Sequence, residues 1–478
     1  MVSIKAQQAL KYIDEKSDRV VDLSKKIWEV AELALHEHES ARYLAEALED
    51  EGFRVEAGVA EMPTAFVATW GEGGPVIGIL GEYDALAGMS QKPISERQEL
   101  VPGGGGHACG HNLLGAGAFA GAIALKHQLE TEELKATIKY FGCPAEENLS
   151  GKAFMARAGL FDDCDICLTW HPGTFNQVWS GSSLANNAAN IVFHGQTAHA
   201  AGAPEGGRSA LDAVQLMNMG VEFLREHVPD EARMHYAITD GGGQPNVVPD
   251  RAEVWYLVRA PERIQVDDIY RRVLRCASGA AEMTETTYDV HLLKAIYNLL
   301  PNRVLEDVLA DSMRAVGPPS FDAKEHAFAR EIASTFSPGQ LEQTLKKQGL
   351  SADDQEKLQE SPLHESVSDP RREDISGSTD VGDVSWCCPT AQFSAACCAI
   401  GTPGHSWQYT AQAGMDVGFR GMLTAGRVLA EAGYRLVTNP EMIRKARQEF
   451  EERTGGRKYV SAMPEDQKPA FEQFADRS

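Results

Sequence analysis

The residues with the clearest chemical potential are Cys109 and His111, which can offer a thiolate and an imidazole to one metal centre. Three further potential ligands, Glu147, His171 and His405, stand where strands are predicted to end. Donors so far apart in sequence can meet only in a folded pocket, and together they would hold one or two divalent cations. Taken singly, each has an ordinary alternative, because buried cysteine is a small hydrophobic residue and most histidines are surface residues. The combination predicts a metal-dependent hydrolase.

Two adjacent carboxylates, Glu146 and Glu147, follow a predicted strand and can divide two tasks between them. One can bind a metal, and the other can take a proton from water and pass it to a leaving nitrogen. The alternative is that both acids simply decorate a helix N-terminus, where negative side chains are common and favourable. The spacing alone supports the two interpretations equally.

The composition limits the classes of partner. The chain has 478 residues, of which 43% are hydrophobic and 24% charged, as in ordinary globular proteins of two or three domains. A formal charge of −24 repels phosphate backbones and acidic membrane surfaces, so we expect neither nucleic acid nor lipid as a partner. No apolar run is long enough to span a bilayer, and the start lacks the pattern of a secretion signal. We therefore expect a cytoplasmic protein.

The nine cysteines are odd in number and clustered, which favours free thiols over a secreted disulfide framework. Cys164 and Cys167 have the spacing of a redox or zinc pair. They lie in an apolar run that is typical of a buried strand, which favours a structural role.

Short apolar runs alternate with helical patterns in the first part of the chain. Strands are predicted over 64–70, 76–80, 136–141 and 166–170, and a helix over 113–129. This alternation predicts an α/β fold with a mostly parallel sheet and helices on both faces. Ligands of such sheets gather at the carboxyl ends of strands, where Asp84, His111, Glu147 and His171 stand.

The pattern changes after residue 185. Strands over 189–193, 234–239 and 253–258, with helices over 208–227 and 267–283, predict a smaller α+β unit. We therefore divide the chain into a first catalytic part (1–185), an inserted unit (186–298) and a second catalytic part (299–478). A polar stretch near 322–376 is expected to be a peripheral helical insertion.

Five motifs in a fixed order resemble the M20 family of metallopeptidases and amidohydrolases. They are GEYDAL (81–86), HACGHNLLG (107–115), PAEE (144–147), GQTAHAA (195–201) and NVVP (246–249). The cysteine of the second motif points to the amidohydrolase branch of the family. The resemblance covers nearly the whole chain and is weakest over 322–376 and after residue 440.

The resemblance implies two divalent cations bridged by Cys109. It implies that His111, Glu147, His171 and His405 are terminal ligands, and that Glu146 is the general base. Thiolate and imidazole donors suit Zn²⁺, whereas the resemblance implies Mn²⁺.

The resemblance also implies that the inserted unit is a lid and dimerisation domain. His199 would reach a neighbouring subunit's active site and polarise the scissile carbonyl, while Asn246 and Arg259 would hold the substrate carboxylate. The chain is then expected to form a homodimer, or a heterodimer with a related subunit, through this unit. For Arg259 the alternative is an ordinary surface arginine at a strand end.

Two positions depart from the family pattern. Many relatives carry a metal-binding histidine two residues before Asp84, and this position is Glu82 here. We therefore expect Asp84 to act by orienting His111 or another ligand. Asn112 stands where many members have an aspartate.

The expected function is metal-dependent hydrolysis of the amide bond of N-acyl or N-aroyl amino acids. The first substrate to test is p-aminobenzoyl-glutamate, which would give p-aminobenzoate and glutamate. The alternatives are a dipeptidase or an N-acyl amino acid hydrolase for other small substrates, or a catalytically silent partner subunit of a related chain.

Overall fold

The structure is a computed structural model that describes residues 6–370, 372–375 and 377–471. Its strands are β1 (Arg54–Ala57), β2 (Phe66–Gly71), β3 (Val76–Glu82), β4 (Thr137–Cys143), β5 (Ile166–Gly173), β6 (Gln177–Trp179), β7 (Ala185–His194), β8 (Arg233–Asp240), β9 (Arg251–Ala260), β10 (Thr287–Ile296) and β11 (Thr390–Ala396). Its helices are α1 (Ala6–Val30), α2 (His38–Asp50), α3 (His111–Thr131), α4 (Gly151–Arg157), α5 (Ala210–Leu224), α6 (Arg263–Thr284), α7 (Arg303–Val316), α8 (Ala323–Ala333), α9 (Gln340–Lys347), α10 (Ala352–Glu360), α11 (Val381–Cys387), α12 (Trp407–Ala413), α13 (Asp416–Thr438) and α14 (Pro440–Thr454).

The larger sheet has seven strands in the order β1-β2-β4-β3-β5-β11-β6. The four central strands β4, β3, β5 and β11 are parallel, which confirms the predicted α/β fold class. The strand predicted over 64–70 is β2, and it runs antiparallel to β4. Residues 72–75, which join β2 to β3, are too few for the crossover that parallel strands need. The sheet is therefore mixed, with antiparallel strands at both edges.

Helices cover both faces of this sheet. On one face α1, α3 and α13 enclose the largest hydrophobic core, and on the other α4 and α11 pack over a second core. Close approach of α3 and α13 depends on small residues. A β-carbon at Gly121 would lie 2.7 Å from Leu429 Cβ, and one at Gly426 would lie 2.8 Å from Ala120 Cβ. Larger side chains at these glycines would push the helices apart.

The smaller sheet is antiparallel throughout, in the order β10-β7-β9-β8. The helices α5 and α6 pack on one face and form a separate hydrophobic core. Along β9, buried and half-buried residues alternate, so the other face of the sheet carries the more polar side chains. We refer to β7 to β10 with α5 and α6 as the four-stranded unit.

Three short helices, α8 to α10, occupy most of the segment 322–376. They contact the rest of the molecule through a few apolar side chains, among them Ile332 and Leu345. Over the described part of the chain, no helix combines the length and the apolar character that a membrane crossing requires.

All nine cysteines are free thiols. Cys164 and Cys167 are both buried in the core beside Phe141 and Phe161. Burial raises the pKa of Cys167 well above its usual range, which makes the thiol unreactive. A structural role for this pair therefore fits better than a redox role.

Candidate active site

The candidate site lies at the carboxyl ends of the parallel strands. Asp84 follows β3, Glu146 and Glu147 follow β4, and His171 lies near the end of β5. Because these strands are neighbours in the sheet, their ends deliver the side chains to one place. His111 is the first residue of α3.

The five predicted metal ligands come together in two adjoining groups. In the first, Cys109, His111 and His171 place one potential ligand atom each within 4.8 Å of one another. In the second, Cys109, Glu147 and His405 do the same. The Cys109 thiol belongs to both groups, and its Sγ lies 3.5 Å from His171 Nε2.

Hydrogen bonds orient the potential ligands. Asp84 Oδ1 lies 2.8 Å from His111 Nδ1, which directs Nε2 of the imidazole towards the cluster. The other oxygen of Asp84 accepts a 3.0 Å hydrogen bond from the Glu147 backbone N–H. The His171 Nδ1 atom is 2.7 Å from the carbonyl oxygen of Pro172, so its Nε2 is left for Cys109 and a cation.

His405 reaches the cluster from the loop that follows β11. Its backbone has a φ of 54°, which is the left-handed region that non-glycine residues seldom adopt. Its N–H donates a 3.0 Å hydrogen bond to the carbonyl oxygen of Ala108, beside Cys109. Its Nε2 lies 3.3 Å from Glu147 Oε2. This strained residue is therefore fixed directly to the cysteine motif.

Three buried atoms at the cluster have no hydrogen-bond partner within the described residues: His111 Nε2, Glu147 Oε1 and Glu82 Oε2. Leaving such atoms unsatisfied is costly, and native proteins rarely do so without a reason. A thiol, three imidazoles and a carboxylate around these atoms form a donor set that suits divalent cations such as zinc or manganese. The residues present therefore fit a two-cation site.

The two adjacent acids differ in their electrostatics. Burial raises the pKa of Glu146 well above its usual range, and the charges of Glu82, Asp380 and Glu147 add to this effect. Burial also acts on Glu147, but the hydrogen bond from His405 and the charge of His111 outweigh it and lower the pKa to about 2. Such a separation assigns different roles to two carboxyl groups. Glu147 is held as an anion and Glu146 readily takes a proton.

Beneath the cluster lies a buried charge network that the sequence did not reveal. The Lys152 side chain is 0% exposed, and its Nζ lies 2.6 Å from Glu82 Oε1 and 2.7 Å from Asp380 Oδ1. The second oxygen of Glu82 is 3.3 Å from His111 Nε2, and Glu82 forms a third potential ligand group with His111 and Glu146. A lysine within the apolar helix α4 was the available signal. Glu82 thus faces the cluster and is held there by Lys152.

Glu37 is a second functional residue that the sequence reasoning missed. Its buried carboxyl group accepts hydrogen bonds from Ala145 N (2.9 Å) and Thr64 Oγ1 (3.0 Å). Ala145 has a φ of 60° and directly precedes Glu146. Glu37 therefore holds the strained turn from which the paired acids project.

The remaining predicted residues lie in the four-stranded unit. His199 is exposed, and its Nδ1 accepts hydrogen bonds from the N–H groups of Ala201 (3.2 Å) and Gly202 (2.9 Å). Its Nε2 must then carry the proton and can act as a donor. The carbonyl oxygen of Asn246 accepts from Ala200 N at 3.0 Å, so His199 and Asn246 lie in adjoining loops. No contact among the described residues joins these two side chains to the metal-ligand cluster.

Arg259 lies near the end of β9, where its half-buried side chain has an Nε atom that is buried without a partner. Burial lowers the pKa of Arg259, and no neighbouring anion offsets the effect. The guanidinium is therefore available to an anionic ligand.

Comparisons with known proteins agree with this geometry. Residues 186–282 match a family model described as a peptidase dimerisation domain. One of the two kinds of subunit of the p-aminobenzoyl-glutamate hydrolase of Escherichia coli (strain K12) is 42% identical over 477 residues, which cover 97% of this chain and 99% of that protein. The Xaa-Arg dipeptidase of Mus musculus is 28% identical over 461 residues, which cover 93% and 91%.

The fold is also similar to a solved structure, that of a Bacillus subtilis protein described as a dinuclear metal binding peptidase from the M20 family. The two share 16% sequence identity with a TM-score of 0.57, over 89% of this chain and 99% of that chain. With the parallel sheet, the shared-thiol ligand cluster and a relative that matches along nearly its whole length, this chain is a hydrolase that belongs to the M20 family of metallopeptidases and amidohydrolases.

Proposed function

We propose that the chain is a metal-dependent amidohydrolase that cleaves the amide bond between an acyl or aroyl group and an amino acid. Its first candidate substrate is p-aminobenzoyl-glutamate, in line with the name of the Escherichia coli relative. The observation that carries the proposal is the position of Glu146, a buried acid with a raised pKa that lies beside two ligand groups sharing one thiol.

In this proposal Cys109 bridges two divalent cations. His111 and His171 hold one cation, and Glu147 and His405 hold the other. When bound, the cations supply Lewis acidity, which activates water and polarises a carbonyl oxygen. The donor set suits Zn²⁺, while the family resemblance favours Mn²⁺.

Glu146 is proposed to move the proton. It takes the proton from the attacking water and passes it to the amide nitrogen as the C–N bond breaks, which releases the amino acid. A raised pKa suits this task, because the carboxyl group has to keep the proton between the two steps. Asp84 is proposed to hold His111 and the Glu147 backbone in position throughout.

His199 is proposed to donate its Nε2–H to the developing oxyanion in the site of a neighbouring subunit. Asn246 and Arg259 are proposed to bind the carboxylate of the amino acid, since a guanidinium can grip a carboxylate with two hydrogen bonds. Support for a role across subunits comes from the exposure of His199 and from its Nε2 donor.

The proposed assembly is a homodimer, or a heterodimer with a related subunit, formed through the four-stranded unit. The strand β8 is the edge of its sheet, and Tyr236 and Ile238 are exposed along it. On the neighbouring helix α5, Met219 and Phe223 are also exposed. An open sheet edge beside exposed apolar side chains marks an interface with another protein chain.

Two broader proposals complete the picture. The catalytic domain would comprise 1–185 and 299–478, with 186–298 as an inserted lid, since each sheet has its own hydrophobic core. A reducing compartment, the cytoplasm, is proposed because all nine cysteines are free.

The test is an assay of the purified protein against a panel of p-aminobenzoyl-glutamate, N-acyl amino acids and Xaa-Arg dipeptides. Each substrate is measured before chelation, after chelation, and after Mn²⁺ or Zn²⁺ is restored. We expect cleavage of aroyl or acyl amino acids that chelation abolishes and a cation restores. Cleavage that ignores chelation would reject the mechanism, and preference for Xaa-Arg dipeptides would make the chain a dipeptidase. Activity that appears only with a related second chain would favour the partner-subunit alternative.

A further inference from the structure

A second cation, Lys294, lies on the same face of the smaller sheet as Arg259. Arg259 pairs with Asn186 and Lys294 pairs with Ala188, and these two β7 residues point to the same side of the sheet. The intervening residues pair with members of the core under α5 and α6, such as Val258. Both cations therefore project from the face that is turned away from the helices.

A β-bulge brings Lys294 to this face. The pairing of β10 with β7 shifts between Leu292, opposite Ala189, and Lys294, opposite Ala188. Leu293 is the extra residue. Without it, Lys294 would stand opposite Asn187 and point into the core under α5 and α6. Bulges near active sites commonly re-aim a side chain in this way.

Neither cation has a protein partner. Among the residues that the structure describes, the side chains of Lys294 and Arg259 take part in no hydrogen bond and no ion pair, although both are half-buried. Burial lowers the pKa of Lys294, while the carboxylates of Glu146 and Asp380 oppose that effect and the charge of Arg259 adds to it. The ammonium group therefore lies within electrostatic reach of both Glu146 and Arg259.

The nearby carboxylates already have other partners. Asp380 is bound by Lys152, and Glu147 is paired with His405. Two half-buried cations without counter-ions are costly unless an anionic ligand reaches them. One α-carboxylate accounts for Arg259 and leaves Lys294 in need of a second anion.

We propose that Lys294 and Arg259 together bind an amino acid that carries two carboxylates, so that the enzyme selects amides of acidic amino acids such as glutamate or aspartate. This inference rests on the proposed amidohydrolase function and adds a specificity-determining residue to it. Arg259 takes the α-carboxylate, and Lys294 takes the side-chain carboxylate. A leaving amino acid with a cationic side chain, such as arginine, is repelled by Lys294.

The test compares p-aminobenzoyl-glutamate with p-aminobenzoyl-glutamine, which has nearly the same shape and a neutral side chain. Wild-type enzyme should prefer the glutamate compound by about tenfold or more in kcat/KM, because hydrogen bonds between charged groups are stronger than neutral ones. Lys294→Met should lose most of that preference through KM while changing the glutamine compound by less than about threefold. Lys294→Arg should recover the preference. The control is Lys324→Met, which removes an exposed lysine of α8 and should leave both substrates unaffected.

An equal loss for both substrates in Lys294→Met would overturn the inference, and a shifted acidic limb of the pH–rate profile would then assign Lys294 to Glu146. A wild-type enzyme without preference for the glutamate compound would also overturn it. Binding of free glutamate and free glutamine to wild-type protein, measured by thermal shift, does not depend on turnover or on any variant. Glutamate should bind at least about tenfold more tightly. If no amide is cleaved but glutamate still binds selectively, the proposed function fails and the binding site stands.

Discussion

Removal of the Lys152 ammonium should destabilise the fold by several kilocalories per mole. Its Nζ lies 2.6 Å from Glu82 and 2.7 Å from Asp380, and these side chains are 0%, 3% and 0% exposed in that order. Burial opposes the charge of Lys152, but Asp380 and Glu82 outweigh it and raise the pKa well above its usual range. Lys152→Met keeps an apolar side chain of similar length, so the loss reports the missing charge.

The magnitude follows from the uncompensated carboxylates. Removing one partner of a buried ion pair costs about 3–5 kcal/mol, because the other charge is left in a poorly solvated place. Lys152 serves two carboxylates, so we expect a loss towards the upper end of that range. The loss should be larger at pH 8 than at pH 5, since protonation relieves the stranded acids.

The assay is urea unfolding of chelator-treated protein, followed by circular dichroism at one protein concentration, because assembly changes the apparent stability. Lys139→Met is the matched control. Lys139 pairs with Asp163 at 2.5 Å, but Asp163 is 63% exposed, so this substitution should cost only about 0–1 kcal/mol. Asp380→Asn added to Lys152→Met should recover part of the loss. A Lys152→Met protein as stable as the control would refute the reasoning.

Three further predictions concern the turn, the interface and the shared site. Burial and Asp84 raise the pKa of Glu37 from 4.5 to about 8, so the folded state keeps a proton and stability falls as pH rises through that window. Glu37→Gln should therefore gain stability relative to wild type between pH 5 and pH 8 in metal-free thermal unfolding, and a constant difference would contradict this. Phe223 is 70% exposed, and Phe223→Glu should convert dimers to folded monomers in light scattering, whereas an intact dimer would exclude α5 from the interface. Mixing His199→Ala with Glu146→Gln should restore up to about a quarter of wild-type activity, since half of the dimers are mixed and each has one complete site. No recovery after verified subunit exchange would contradict a role for His199 across subunits.

The sequence was sufficient to predict the α/β class and the residues that form the ligand cluster. Glu147 and His171 follow apolar runs, and the carboxyl ends of parallel strands necessarily meet along one edge of the sheet. The short spacing of Cys109 and His111 places both at the start of α3. These inferences needed only local patterns and one rule of topology.

The supporting residues could not be predicted in the same way, because their roles depend on contacts between distant segments. Glu37 meets Ala145 across 108 positions, and Lys152 meets Asp380 across 228. The reversed direction of β2 follows from a short connection rather than from hydrophobic pattern. The orientation of Lys294 depends on a single bulged residue, which the alternation of apolar residues does not reveal.

The division of labour between Glu146 and Glu147 is the central claim, and the number of cations per chain in Glu146→Gln tests it most directly. Elemental mass spectrometry of this variant should give the wild-type metal content, with turnover of p-aminobenzoyl-glutamate lowered by about a hundredfold to ten-thousandfold. Glu147→Gln, measured alongside, should lose metal because its carboxylate belongs to a ligand group with Cys109 and His405. Loss of metal from Glu146→Gln, or turnover that survives the substitution, would contradict the account.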